Sequence, residues 1–263
     1  TGAVGRAELC LVHLLHSVRT GEAAYPVQFG RSFWADLAAD PELAASFDAR
    51  MGADLTATRA PDIVAARDWG ALGHVVDVGG GDGSLLIALL RAYPGLRGTL
   101  LDLPGTAETA RKALARAGLA HRAEVVAGSF FDPLPRRGGA YLLSSVLHDW
   151  DDGSAVAILR RCAEAAGAGG TVHVIERIGA DGGSPGTAMD LRMLAYYGGR
   201  ERTAAELAEL GRAAGLEPIG VRPAGRSSII EFTVPQGSAG ARAQGDQPWQ
   251  ETASGSSGHG STT

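Results

Sequence analysis

From residue 74 onward the chain repeats one pattern: a short, almost wholly apolar run, a turn, then an amphipathic stretch. The runs are HVVDV, GTLLDL, RAEVVAG, AYLLSSVL and TVHVIERI. A strand that is apolar on both faces has to be covered on both faces, which is the situation in a parallel sheet with crossover helices. The stretches at 105–116 and 153–166 have the helical spacing that such crossovers need. EPIGVRP and SSIIEFTV add two further apolar segments before the periodicity is lost. The expected fold is α/β, a doubly wound and mostly parallel seven-stranded sheet occupying residues 67–235.

Ahead of the sheet, residues 1–66 read as an N-terminal helical segment. RAELCLVHLLHSV has its apolar positions on one helix face, and Asp40-Pro41 is an N-cap followed by proline at the first helical position. Leu43, Phe47, Met51 and Leu55 then fall four apart on one stripe. Residues 236–263 are rich in Gly, Ser, Thr and Gln without a hydrophobic period, and a disordered tail is expected there.

Composition narrows the partners. At 263 residues and 45% hydrophobic content the chain can bury a full core. A net charge of -5, with Lys112 the only lysine, argues against nucleic acid, whose phosphates are held by clustered Lys and Arg. Cys10 and Cys162 make no disulfide framework, and no Cys or His pair stands at metal-ligand spacing. LCLVHLL is too short to span a bilayer and lacks the flanks of a signal peptide. A cytoplasmic protein with no metal and no membrane partner is expected, and its start at Thr1 suggests a processed or partial chain.

VVDVGGGDGS follows the first strand and opens a helix, the place where an open α/β sheet binds nucleotide-like ligands. Read from Gly79, the dinucleotide fingerprint takes Gly81 as its second glycine but meets Ser84 at the third. Asp77, just before the glycines, would repel a pyrophosphate and favour a ligand carrying positive charge. Asp102 ends the second strand, where an acid commonly binds ribose hydroxyls. An adenosine joined to a cationic amino acid is S-adenosylmethionine.

Four segments in order, VVDVGGGDGSLLIALLRAYPGLRGTLLDLP, VVAGSFFDPLP, LLSSVLHDWDD and GGRERTAAEL, resemble the S-adenosylmethionine-dependent O-methyltransferases related to plant caffeate methyltransferases and bacterial polyketide O-methyltransferases. The resemblance runs from about Arg31 to Val234 and implies a Rossmann-like methyltransferase fold. It makes His148 the general base, with Glu176 and Glu201 bonding or facing its imidazole. It also implies that Ser129 stands where relatives often place an aspartate for the adenine amino group, that Phe130 stacks on the base, and that Ser144 lies near the methionine carboxylate or adenosine. Phe47, Met51, Met193 and Tyr197 are implied to line the substrate and cofactor pocket, with Asp149 beside the base. The resemblance further implies a flat aromatic acceptor, a homodimer, and an N-terminal dimerisation domain of which residues 1–66 keep only a remnant.

The residues support parts of this directly. His148 lies just past the fourth apolar run, at the carboxyl edge of the sheet, and histidine suits the removal of a phenolic proton. Thr203 to Glu206 form a capping box, which leaves Glu201 without a capping duty, whereas Asp151 reads as the N-cap of the next helix. His13, His16, His74, His121, His173 and His259 have no paired acids at the ligand edge. Two rival readings stand beside O-methyl transfer to a phenol of an aromatic secondary metabolite. One is an NAD(P)-dependent oxidoreductase, the other a relative that binds S-adenosylmethionine without transferring the methyl.

Overall fold

The computed structural model describes residues 2–179 and 186–237. Seven strands form one sheet: β1 (His74–Val78), β2 (Arg97–Asp102), β3 (Ala123–Ala127), β4 (Ala140–Ser144), β5 (Thr171–Glu176), β6 (Glu217–Ala224) and β7 (Ser227–Thr233). Their order is β3-β2-β1-β4-β5-β7-β6. The first five are parallel, and β7 runs antiparallel between β5 and β6. The dinucleotide-binding arrangement has order 3-2-1-4-5-6; here the antiparallel β7 is inserted next to β5.

Two core clusters cover the two faces. One packs Tyr141, Leu143, Val174 and Phe232 under the helix Asp152–Ala166, and the other packs Val75, Leu100 and Ile229 under the helix Ser84–Ala92. The capping expectations hold. Asp40 Oδ1 accepts from the N–H groups of Glu42 and Leu43, Asp151 Oδ1 accepts from Ser154, and Thr203 and Glu206 form the reciprocal box.

The N-terminal segment forms several short helices rather than long ones. The first apolar stretch divides into Ala3–Glu8, a 3₁₀ turn Leu9–His13 and Leu14–Thr20. With Phe33–Ala39 and Pro41–Asp54 these helices build a third core, closed by Met193, Ala195 and Tyr196 of the helix Thr187–Tyr197. The stripe on Pro41–Asp54 is buried only in part: Leu43 is in the core, but Met51 is 42% exposed. On the same helix, Gly52 lies so close to Asp82 of the glycine loop that a Cβ would overlap the carboxylate. No helix among the described residues is long and apolar enough to cross a membrane. The expected tail beyond residue 237 lies outside the described residues.

Candidate active site

The glycine loop leaves β1 with Gly79, Gly81 and Gly83 all at positive φ, a backbone course that side-chain-bearing residues rarely follow. Asp102 fixes its shape: one oxygen accepts from Gly81 N–H at 2.8 Å and the other from Leu103 N–H at 2.7 Å. Each oxygen keeps lone-pair capacity for a further donor, such as a ribose hydroxyl. Asp77 is 1% exposed, and its Oδ2 has no hydrogen-bond partner. Burial first, then Asp102 and Asp82, push its carboxyl up to about 7. A buried acid without a partner beside a loop of bent glycines fits a ligand that brings a positive charge and a ribose.

Other predicted cofactor residues surround this loop. Phe130 packs against Gly79 and meets Trp150 edge to face at 5.7 Å. Ser129 Oγ accepts from Phe131 N–H at 3.2 Å, and Ser144 Oγ is buried without a partner at the end of β4. Asp48, which sequence reasoning passed over, reaches the loop from the helix Pro41–Asp54. Burial, then Asp102, raise it to about 6.

His148 sits in a short 3₁₀ turn, Leu147–Asp149, beyond the end of β4. Its Nδ1 lies 2.7 Å from Glu176 Oε2 at the end of β5, while Glu176 Oε1 accepts from Leu147 N–H at 3.0 Å. Glu176 therefore holds both the ring and the backbone that carries it. Asp149 Oδ1 stands 3.3 Å from Nε2. Burial works against the imidazolium, but Glu176, Asp149 and Glu201 outweigh it and push His148 up to about 10. Burial likewise opposes ionisation of Glu176, and His148 overcomes it, so Glu176 stays below the usual glutamate range. Asp149 is raised to about 7, by burial above all.

Glu201 shares a small cleft with His148, Glu176, Arg200, Arg202 and Leu207. It makes no hydrogen bond to the imidazole in this state: its Oε2 is buried without a partner, and its backbone N–H donates to Asp190 Oδ1 at 2.9 Å. Its neighbour Arg202, quoted in the motif but not singled out, is the brace of the turn. At 3% exposure it donates to Leu147 O at 2.7 Å, Trp150 O at 2.7 Å and Asp152 Oδ1 at 2.8 Å. Gly199 backs onto the His148–Trp150 peptides with no room for a Cβ. By contrast His173 is structural: burial, then Arg67 and Arg222, drive it down to about 3.

Aromatic rings wall the space beside the His148 turn. Trp34 stacks on Tyr197 at 5.4 Å and 19°, and on Trp150 at 6.2 Å and 11°. Phe47 meets Trp34 edge to face at 5.7 Å. Of the predicted acceptor-side residues, Phe47 and Tyr197 belong to this wall, and Met193 is buried within the third core. Trp34 was not legible as a site residue, because nothing near it in sequence marks it apart from other core aromatics.

Residues 11–217 match the family model described as the O-methyltransferase domain. The chain belongs to this family. Its O-methyltransferase domain is 61% identical over 170 residues to 2,7-dihydroxy-5-methyl-1-naphthoate 7-O-methyltransferase of Streptomyces carzinostaticus, covering 65% of this chain and 51% of that protein. It is 51% identical over 170 residues to aclacinomycin 10-hydroxylase RdmB of Streptomyces purpurascens, covering 64% of this chain and 45% of that protein. The chain thus spans about half the length of these curated relatives. The crystal structure of NcsB1, an O-methyltransferase from neocarzinostatin biosynthesis, in complex with S-adenosylmethionine and 2-hydroxy-5-methyl naphthoic acid, is similar to this O-methyltransferase domain with a TM-score of 0.85. The two are 57% identical, over 89% of this chain and 70% of that one.

Proposed function

We propose that the chain is the catalytic part of an enzyme that methylates a phenolic hydroxyl of an aromatic, polyketide-like metabolite, with S-adenosylmethionine as donor. The observation that carries this reading is the 2.7 Å contact between His148 Nδ1 and Glu176 at the carboxyl edge of the sheet. With Nδ1–H given to Glu176, the lone pair of the neutral ring is on Nε2, where an acceptor hydroxyl can deliver its proton. The acids around His148, Glu176 and Asp149 first among them, raise its proton affinity against the opposing effect of burial, which strengthens it as the acceptor of a phenolic proton.

S-adenosylmethionine would supply a methyl group on a positively charged sulfur, which departs as a neutral thioether. Asp77, Gly79, Gly81 and Asp102 are the residues that would hold it, with Met51, Ser129, Phe130 and Ser144 around the adenosine and methionine parts. The acceptor hydroxyl takes the position at Nε2 that Asp149 faces, Glu176 stabilises the imidazolium that forms, and Glu201 adds a second negative charge to the cleft. The rings of Phe47, Trp34 and Tyr197 give the acceptor a flat apolar wall. The naphthoate named in the bacterial relative is an acceptor of this shape and chemistry.

A relative that does other chemistry on the same scaffold is the second reading, favoured by the 51% identity to a protein named a hydroxylase. Incubation with methyl-labelled S-adenosylmethionine and a panel of hydroxynaphthoates separates the two. Transfer of label to oxygen, lowered by about 100-fold in His148→Ala, is the expected result. Equal labelling by both proteins would remove His148 as base, and an unlabelled hydroxylated product would favour the second reading.

A further inference from the structure

Arg59 has no part in the mechanism above, yet it occupies the end of the strand that carries Glu176. It closes a π-helical turn, Leu55–Arg59, of a kind often found at functional sites, and is 6% exposed. Its Nε–H donates to Ser227 Oγ at 3.0 Å, and its Nη1–H donates to Ser145 Oγ. Ser145 follows β4, Ser227 opens β7, and β5 lies between those strands. Neighbouring strands are about 4.8 Å apart, so β4 and β7 are separated by roughly 10 Å. One guanidinium with a hydrogen bond on each side spans that gap only by crossing the end of β5. That end is Glu176, whose partner on β7 is Ser228. Ser145 holds a left-handed φ of 56°, which a non-glycine residue keeps only when its surroundings fix it. Its N–H is tied to Ile175 O at 3.0 Å and its hydroxyl to Arg59.

We propose that Arg59 is a positioning residue of this site: bridged between Ser145 and Ser227, its guanidinium lies over Glu176 and keeps that carboxylate ionised and aligned on His148. The proposal rests on the reading of His148 as the base. His148 is faced by Glu176 from β5, by Asp149 from its own turn and by Glu201 from the loop before the helix Ala204–Ala213. Asp149 in turn faces Tyr197, and Arg202 grips the same turn from the side. Around Arg59 stand Glu176, Arg177, Asp54 and Glu201. Acids dominate this cleft, and each one strengthens its hold on a proton. A fixed cation at Glu176 does the reverse, lowering the proton affinity of the Glu176–His148 unit and so raising the share of free base near neutrality.

The test is the titration of His148 followed by NMR in protein labelled with 15N-histidine, without cofactor or acceptor, and assigned by comparison with His148→Gln. Because no turnover is needed, failure of methyl transfer does not decide it. In Arg59→Gln the midpoint moves to higher pH by about 1 unit, and Arg59→Lys returns it most of the way. The Ser145→Ala/Ser227→Ala double variant keeps the charge but releases the guanidinium, and its midpoint rises part of the way. A midpoint equal to wild type in folded Arg59→Gln, or in the double variant if Arg59→Gln does not fold, would leave Arg59 as a mere brace and overturn the proposal.

Discussion

A carboxylate buried without a partner weighs against the folded state, and Asp77 is such a group. Its folded pKa, raised to about 7, lies above the value near ~3.9 of an unfolded chain. Stability tied to this group is therefore complete below about pH 4 and is lost as the pH climbs to about 7. Asp77→Asn should melt higher than wild type at about pH 8, match it near about pH 4, and bind S-adenosylmethionine more weakly. Thermal unfolding at both pH values with a binding titration checks this, and equal melting throughout would mean that the carboxylate is already compensated. Asp77, Asp102, His148 and Glu176 were legible because each stands at a strand end, where periodicity says a ligand edge must be. Arg59 and Trp34 were not. Arg59 finds its partner 168 residues away, and no local pattern announces a pairing made only by the folded sheet.

Short elements hold His148 in place. The turn Leu147–Asp149 has two backbone hydrogen bonds of its own, Asp149 N–H to Val146 O and Trp150 N–H to Leu147 O, and is held by Glu176 from one side and Arg202 from the other. Arg202→Met would leave Trp150 O without a donor, take one of two donors from Leu147 O and remove the closest cation from Asp152, at a cost of roughly 2 kcal/mol. The expected outcome is a lower melting temperature and a kcat reduced by about 10-fold or more, with cofactor affinity nearly unchanged. An unaltered melting curve would show that the turn holds without it. The helices around these turns followed from their caps, since Asp40, Asp151 and Thr203 announce their own hydrogen bonds locally. Met51 departs from its stripe, exposed on a helix whose Leu43 is buried in the core.

Across the molecule, the strand order brings the ends of separate strands to one edge; the seven apolar runs announced the strands, but not the antiparallel place of β7 between β5 and β6. Nor did they announce how the N-terminal helices share a core with Thr187–Tyr197, so that the wall beside His148 is assembled from segments far apart in the chain. Trp34 on one helix and Trp150 beyond β4 lie nearly parallel at 6.2 Å. Two indoles so arranged absorb and emit as a coupled pair, and whatever wedges them apart changes the light they return. A flat phenolic acceptor entering beside His148 should alter tryptophan emission and the near-ultraviolet circular dichroism in step with its binding, and Trp34→Phe should abolish the change. Saturation by an acceptor with no optical response would place it elsewhere. If the acceptor enters there, the pair is an internal gauge of its occupancy that needs no turnover to be read.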